Sequence, residues 1–251
     1  MKYKLISLLS ALTFSPLIYA DNNTDHTWEG PVKVNLNLYA FAADANGEIQ
    51  KGKVHYDVDQ PFKDSLDYLD ETYMAHLDIS KGRWGVFYDT QMAKLSTEES
   101  LAHIPIAAFV KQKRQSLGAY YQAYVSERNA NNNYPRFIVE PMIGIHRTEL
   151  KSQLSALNHS SQVNADWDEV FWGSRFKYNF DSPVNLAAEM SFGAEDTRSV
   201  QMYAGYRQEI FKRPVNFRIG YRYFEQDHHS GDFKWHITQH GPVIGVNLPI
   251  F

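Results

Sequence analysis

The chain has 251 residues, of which 43% are hydrophobic and 22% are charged, and its formal net charge is −4. Such mild acidity argues against a nucleic-acid partner, and the absence of cysteine excludes disulfide bonds. The mean hydropathy is −0.46, and no stretch after residue 20 approaches the roughly 20 apolar residues of a membrane-spanning helix. Composition therefore excludes a bundle of membrane helices but allows a β-barrel, whose strands alternate apolar and polar side chains.

The first 20 residues have the layout of a secretory signal peptide. Two lysines precede an apolar run from Leu5 to Phe14, and Ala20 stands before an acidic residue. The apolar run is too short for a membrane anchor. We therefore predict a signal peptide at 1–20, with the exact cleavage site left open, and one domain at 21–251 that is exported through the general secretory pathway.

Period-2 alternation, the pattern of a strand with two different faces, recurs through most of the remaining chain. In the first segment Val34, Leu36 and Leu38 share one face, while Asn35 and Asn37 share the other. Ten such segments are predicted as strands, at about 32–42, 72–80, 83–93, 115–126, 136–148, 168–179, 184–195, 199–211, 215–225 and 237–251. We therefore predict an all-β fold, an antiparallel transmembrane β-barrel of ten strands, with eight strands as the alternative.

The lengths of the connections support a barrel that spans an outer membrane, because such barrels alternate short periplasmic turns with long outer loops. Every second connection is short and rich in turn residues, namely 81–82, 129–133, 181–183 and 212–214. The others are longer, namely 43–71, 94–114, 149–167 and 226–236, apart from a short one at 196–198. A secreted soluble β-protein remains the alternative.

The first long connection contains a predicted helix over 59–70. Phe62, Leu66 and Leu69 lie at helical spacing there, with acidic residues between them. Such a short amphipathic helix would cover the outer mouth of the barrel.

The chain ends on an apolar strand, Gly241 to Phe251, that stops at an aromatic residue. If Phe251 faces lipid, strict alternation would place Asn247 outward and Val246 inward, which reverses the apolar face. A β-bulge near Pro249, which cannot donate a ladder hydrogen bond, would restore the expected orientation. We therefore predict a bulge there.

Several short motifs punctuate the predicted strands. They are Gly144-Ile-His-Arg147, Trp172-Gly-Ser-Arg175, Met190-Ser-Phe-Gly193, Gly220-Tyr-Arg-Tyr223, Gly82-Arg-Trp84, Tyr88-Asp89, the stretch from Val58 to Leu69, and Gly241-Pro-Val-Ile-Gly245 leading to Phe251. With these motifs the chain resembles a family of small outer-membrane β-barrel proteins of Gram-negative bacteria. The resemblance implies outer-membrane lipid and lipopolysaccharide as surroundings. It also implies periplasmic chaperones and the barrel-assembly machinery as partners, with Phe251 in the assembly signal.

Projecting the alternation inward predicts a lumen with charges of both signs. The residues assigned to it are Glu140, His146, Glu169, Arg175, Lys177, Glu189, Glu195, Arg207, Glu209, Arg218 and Arg222. Ten strands lie near the size at which side chains fill a barrel, and a charge buried away from water must be paired. A salt-bridged plug is therefore the first hypothesis. A narrow selective pore, with the arginines as its filter, is the second.

Histidines are concentrated in the last long connection. His228, His229 and His236 lie near Asp227 and Asp232, and imidazole with carboxylate suits zinc or copper. Their spacing matches no known site, so a polar exposed loop is the simpler interpretation.

No catalytic motif of the nucleophile-elbow, zinc-helix or phosphate-loop kind occurs, and no cofactor is predicted. A hydrolase at the outer rim stays open, because Asp89, Asp227, His228 and His229 are suitable residue types. The chain is thus predicted to be a structural or narrowly permeable outer-membrane barrel with a mostly closed lumen. The alternatives are a narrow porin for small solutes, a rim hydrolase and a loop-borne binding protein for a metal or ligand.

Overall fold

The structure is a computed structural model that describes residues 30–63, 69–101, 104–156 and 159–250. The predicted signal peptide and Phe251 lie outside the described residues. Thirteen strands account for most of the described chain. They are β1 (Lys33–Phe41), β2 (Asp44–Lys51), β3 (Val54–Gln60), β4 (Leu69–Lys81), β5 (Trp84–Leu101), β6 (Ile104–Tyr121), β7 (Tyr124–Val125), β8 (Phe137–Ala156), β9 (His159–Asn179), β10 (Val184–Gly193), β11 (Arg198–Ile210), β12 (Arg213–Ser230) and β13 (Phe233–Pro249).

Ten of these strands close into an antiparallel barrel. Their order around the wall is β1-β4-β5-β6-β8-β9-β10-β11-β12-β13, and β13 pairs back onto β1 from Asn35↔Pro249 to Phe41↔Val243. Closure gives each of these strands two neighbours, which satisfies most of the backbone ladder. The predicted ten-stranded barrel is confirmed, and the eight-stranded alternative is wrong.

The remaining three strands are additions to this wall. β2 continues beside β13 where β1 ends, with Asp44–Lys51 opposite His240–Phe233, and β3 forms a hairpin on β2. The two-residue β7 pairs with the start of β8. We call the end that carries the short turns at 82–83, 180–183 and 211–212 the turn end. The opposite end is the hairpin end.

The connections at the hairpin end are strand hairpins, which corrects the prediction of long loops there. β5 and β6 pair as far as Leu101↔Ile104, β8 and β9 as far as Ala156↔His159, and β12 and β13 as far as Ser230↔Phe233. Where the side chains of these segments are described, the apolar ones pack inward instead of outward, among them Val110, Leu150, Trp167 and Trp235. The change of phase makes them resemble polar loops in the sequence.

An apolar band surrounds the barrel next to the turn end. Its most exposed members are Leu117, Ile143, Met202, Ile219 and Ile244, each at least 58% exposed. The ten steps from Val170 to Phe180 span about 33 Å along the strand, or roughly 25 Å of height at the tilt usual for such barrels. Exposed aromatic rings edge the band at the turn end, namely Trp84, Tyr124, Tyr178, Phe180, Tyr206 and Phe211.

Beyond the band, toward the hairpin end, the outward face becomes charged. Arg147 lies 3.1 Å from Asp166, 3.2 Å from Asp168 and 3.5 Å from Glu149, and all four side chains are solvent-exposed. The outer surface of the barrel therefore has an apolar zone next to the turn end and a charged zone next to the hairpin end, with a sharp boundary between them.

Inside the hairpin end, apolar side chains fill the bore. Five buried residues form what we call the mouth cluster, namely Leu150, Trp167, Phe233, Trp235 and Ile237. Ile49, Val58, Val110, Val163 and Ala165 pack against it from the surrounding strands. Because these residues come from strands on opposite sides of the barrel, their packing draws the extended hairpins together across the opening.

Glycines opposite aromatic residues make room for lumen rings. Four such cross-strand pairs are Gly85↔Tyr120, Gly118↔Phe87, Gly144↔Phe171 and Gly220↔Tyr203. At each of these glycines an added Cβ would lie within 2.7 Å of the partner ring. The rings therefore lie flat over the neighbouring backbone, which explains the glycines of several strand motifs.

Two local predictions are corrected. The helix over 59–70 is wrong at both ends, because Asp59 and Gln60 belong to β3 and Leu69 begins β4, although Phe62 and Lys63 are helical. Its centre at 64–68 lies outside the described residues. The register of β13 shows no shift at Pro249, so the predicted bulge is also wrong, and Ile244 faces outward while Asn247 lines the lumen. The described part of the chain contains no helix long and apolar enough to cross a membrane.

Candidate functional site in the lumen

One charged group lies against the wall of β4, β8 and β9. Lys177 donates to Glu140 at 2.9 Å, and the Arg175 Nε lies 3.1 Å from the same carboxylate without hydrogen-bond alignment. Arg175 also donates to Asp78 at 3.3 Å, and the Tyr120 hydroxyl donates to Asp78 at 2.8 Å. Glu140 is 0% exposed. Its two cationic partners offset the cost of removing that charge from water.

The Arg175 guanidinium is also held by rings. Its Cζ lies 4.0 Å from the Tyr120 centroid and 5.2 Å from the Phe87 centroid. Both rings belong to the glycine pairs described above. Gly85 and Gly118 thus shape the lumen around this cation.

A second polar group crosses the lumen. Arg222 donates to Gln201 at 2.7 Å and, from the opposite wall, to Gln91 at 3.1 Å. Gln91 in turn donates to Asp89 at 2.9 Å, and Tyr39 donates to the same carboxylate at 2.9 Å. These links join β12, β11, β5 and β1, so the middle of the bore is spanned by hydrogen bonds.

A half-buried histidine, His76, and a buried one, His146, complete the middle layer. His76 Nδ1 lies 3.3 Å from Asp89, and His146 Nδ1 lies 2.7 Å from the Ser116 hydroxyl. The His146 ring stacks on Phe171 with centroids 3.9 Å apart. His146 therefore packs as part of the lumen filling.

Between the middle layer and the turn end lies a cavity of about 440 Å³, which we call the lower cavity. Arg207 and Arg218 face it, together with asparagines on several strands. Arg207 donates to Asn179, and Arg218 donates to Asn37 at 3.1 Å. Among the described residues neither arginine has an acidic partner within ion-pair distance, so the lower cavity carries positive charge.

The predicted lumen residues fall in different places. Glu140, Arg175 and Lys177 lie together, and Glu189 accepts from Gln201 at 2.8 Å beside Arg222. Glu209 is exposed at the rim of the turn end, where it pairs with Pro214.

Two further predicted lumen carboxylates lie near the mouth cluster. Glu169 is buried and accepts from Thr197 and from the Glu195 amide, which holds the short turn at 194–197. The Glu195 carboxylate lies at the surface beside His228.

The candidate metal and rim residues form two separate sets of contacts. His228 Nδ1 lies 2.6 Å from Glu195, while His236 and His229 lie 3.4 and 3.7 Å from Asp227. No group of three or more histidine and acidic side chains in the described residues could hold a metal ion. Asp89 lies in the middle of the lumen and contacts none of the rim residues, so the suggested catalytic grouping does not form.

The sequence interpretation missed several lumen residues. Asp78 and Arg114 both face inward. Asp78 lies on the inward phase of the strand predicted at 72–80, so applying the alternation there would have found it, whereas Arg114 lies in the predicted connection 94–114. The pairing of Arg222 with Gln91, 131 positions earlier, depends on how the wall curves and has no local signal.

No family model and no curated protein matches the chain. Among solved structures it is similar to CdiB from Acinetobacter baumannii, with 11% identity and a TM-score of 0.40 over 78% of this chain and 39% of that one. Ail, the attachment invasion locus protein of Yersinia pestis, matches with 13% identity and a TM-score of 0.36 over 86% of this chain and 99% of Ail. The Pseudomonas putida toluene transporter TodX matches with 9% identity and a TM-score of 0.26 over 86% and 88% of the two chains.

The chain therefore spans about two fifths of CdiB and nearly all of Ail. These scores are too low to carry an argument about activity. The assignment of a ten-stranded barrel rests on the strand pairing of the chain itself.

Proposed function

We propose that the protein is an integral outer-membrane β-barrel whose lumen forms no continuous pore. The apolar band supports the membrane placement, because its height of roughly 25 Å matches the lipid-facing zone of outer-membrane barrels. The short turns would then lie in the periplasm, and the charged hairpins would project outside the cell. Residues 1–20 would direct export, and the barrel-assembly machinery would insert the chain.

The observation that carries the closed lumen is the mouth cluster. Its rings and aliphatic side chains are at most 7% exposed although they lie at the open end of a barrel. Gln226 and Thr148, which hydrogen-bond across the bore at 3.1 Å just below, are 0% and 1% exposed. An ion would have to displace both layers, and burying a charge among apolar groups is costly. The outer mouth is therefore a seal.

Current measured across a planar bilayer tests this proposal. The purified barrel is first shown to be folded by heat-modifiable migration on a gel, and to be inserted by protection of its spanning segments from protease in vesicles. We expect no discrete conductance steps from inserted protein. Frequent, long-lived steps from the wild-type barrel would contradict the seal, and failure to insert would contradict the membrane placement.

A second candidate is a narrow anion-selective channel that conducts when the mouth opens. The unpaired arginines of the lower cavity favour it, because Arg207 and Arg218 would attract anions entering from the turn end. On this hypothesis any rare steps should be anion-selective. Replacement of Arg218 by Gln should then reduce that selectivity without unfolding the barrel, and steps with cation selectivity would exclude the channel.

A further inference from the structure

The barrel wall has a seam between β1 and β4. The ladder between them begins at Lys33↔Ser80 and ends at Leu38↔Ala75. Beyond that point Tyr39, Ala40 and Phe41 pair only with β13. The facing residues of β4, Thr72 to Met74, pair only with β5. For these three positions the described backbone offers no strand pairing across the gap.

The seam opens within the apolar band. Ala40 pairs with Ile244, and Ile244 pairs with Ile219, which is 62% exposed at the middle height of the band. Tyr73 flanks the other side of the seam and is 45% exposed. If the band lies in the membrane, the seam faces lipid chains.

A cavity of about 540 Å³, which we call the side cavity, lies at this seam. Its lining includes the outward residues Ile244 and Tyr73 and also the lumen residues Gln91, Gln112 and Arg114. A cavity that touches both faces of a wall passes through that wall. The side cavity therefore connects the lipid-facing surface with the interior of the barrel.

Arg114 gives the inner end of this cavity its charge. Among the described residues it has no carboxylate within ion-pair distance, and its buried Nε has no hydrogen-bond partner. The Phe224 ring contacts the guanidinium, with its centroid 3.7 Å from the guanidinium carbon. An unpaired cation that lines a mostly apolar cavity is suited to an anionic group with an apolar tail.

We propose that the side cavity binds a single-chain amphiphile that enters from the membrane, with its apolar chain in the seam and its anionic head group on Arg114. In this arrangement only the apolar chain lies in the lipid-facing opening. The anionic head group moves from the membrane surface to the Arg114 guanidinium. Tyr39 lines both this cavity and the lower cavity. The bound head group would thus rest next to the side chain that separates it from the periplasmic half of the lumen.

This inference rests on the membrane placement proposed above, so the test separates the two. The full barrel is placed in phosphatidylcholine nanodiscs, and its insertion and heat-modifiable fold are checked first. An unfolded or uninserted barrel would overturn the placement. Binding of 11-(dansylamino)undecanoic acid is then followed by energy transfer from tryptophan and displaced with dodecanoate, dodecanol or dodecyltrimethylammonium.

We expect saturable binding, with dodecanoate displacing the probe at concentrations at least tenfold lower than the other two amphiphiles. Arg114→Gln should weaken binding about tenfold or more, since a charge-assisted contact is lost, and Arg114→Lys should retain most of it. Arg147→Gln, on the charged outer surface, is the matched control and should bind as the wild type. Ala40→Trp should block the seam, and Ala42→Phe replaces it if that variant does not fold.

Three results would overturn the proposal while leaving the membrane placement intact. The first is a correctly inserted barrel that binds no probe. The second is equal displacement by the acid, the alcohol and the ammonium compound, and the third is unchanged binding by Arg114→Gln. In the last two cases the head group would not rest on this arginine.

Discussion

Trp167 and His228 lie face to face at the hairpin end, with ring centroids 4.4 Å apart and planes only 4° from parallel. Trp167 belongs to β9 and His228 to β12, and the two strands between them, β10 and β11, end lower in the wall. The stack therefore bridges a notch in the rim. It joins the β8–β9 hairpin to the β12–β13 hairpin and supports the mouth cluster from one side.

Removing this bridge should both destabilise the barrel and open its mouth. Trp167→Ala deletes a ring that is 7% exposed, and a cavity of that kind costs about 3–5 kcal/mol. We expect a lower midpoint of thermal unfolding and the appearance of conductance steps in a planar bilayer. Trp172→Ala is the control, because that ring lies on the same strand but is 52% exposed on the outer face. Equal leakage from the two variants would contradict a seal at Trp167.

The buried carboxylate of Glu140 should be important for stability. Its removal leaves Arg175 and Lys177 close together without their shared anion, and breaking a buried pair in this way costs about 3–5 kcal/mol. Urea unfolding of Glu140→Ala in lipid vesicles measures the loss. Glu149→Ala should cost at most about 1 kcal/mol, because its contact with Arg147 is exposed to solvent. Similar losses for the two variants would show that Glu140 is not buried as described.

Gly85 lies opposite Tyr120, and this contact predicts that substitutions of the two residues have coupled effects on the free energy of unfolding. A Cβ on Gly85 would meet three atoms of the Tyr120 side chain at 2.1 to 2.4 Å, so the ring would have to move. Gly85→Ala should cost about 1–3 kcal/mol in the wild type, as overpacking usually does. In a Tyr120→Ala background the same change should cost close to nothing. A double-mutant cycle of unfolding free energies measures the coupling, and strictly additive effects would contradict the packing of this pair.

The β2–β13 ladder outside the apolar band should weaken in acid. Lys234 donates a hydrogen bond to Glu48, and this contact lowers the pKa of the Glu48 carboxyl and raises the pKa of Lys234. Lys51 donates to Asp232 at 2.7 Å and lowers the pKa of that carboxyl. The ladder is therefore stabilised while both carboxylates are ionised and both lysines are charged.

The direction of the pH dependence follows from the signs of these shifts. A carboxyl whose pKa is lowered by folding stabilises the fold above its ordinary pKa and loses that effect as pH falls through the lowered value. The raised pKa of Lys234 adds a loss only in strong alkali. Hydrogen exchange of the β2 amides, corrected for intrinsic rates, should show protection falling below about pH 4. The double variant Glu48→Gln, Asp232→Asn should lack this dependence, and an unchanged profile would contradict the role of these pairs.

The strand count was predictable from sequence because the apolar band imposes a period of two along each strand. In β13 this period changes phase, since Trp235 and Ile237 face inward whereas Ile244 faces outward. A search for one continuous outward stripe therefore ends the strands of the extended hairpins, such as β8 and β12, too early at the hairpin end. The mouth cluster was missed for the same reason, because its residues appeared to lie in loops.

The sequence predicts which side chains face the lumen, but it does not predict which of those side chains contact one another. Alternation alone directs Arg175, Lys177 and Glu140 inward. It cannot show that Arg175 reaches Asp78, 97 positions earlier, because that contact depends on the curvature of the closed wall. The seam could not be predicted either. Ala40 and Tyr73 continue their strands, and no irregular residue marks where the β1–β4 ladder ends.

The pairing of β1 with β13 has a consequence for how the molecule forms. Asn35 and Pro249 are 214 positions apart, whereas most neighbouring strands are joined by tight hairpins that can form early. Bringing such distant segments together carries a larger entropic cost, so this ladder closes last. Until then the chain is an open sheet with two unsatisfied edges, a species prone to aggregation. We therefore expect the molecule to be most prone to aggregation before this ladder forms, and the ladder cannot be complete until Pro249 has been synthesised.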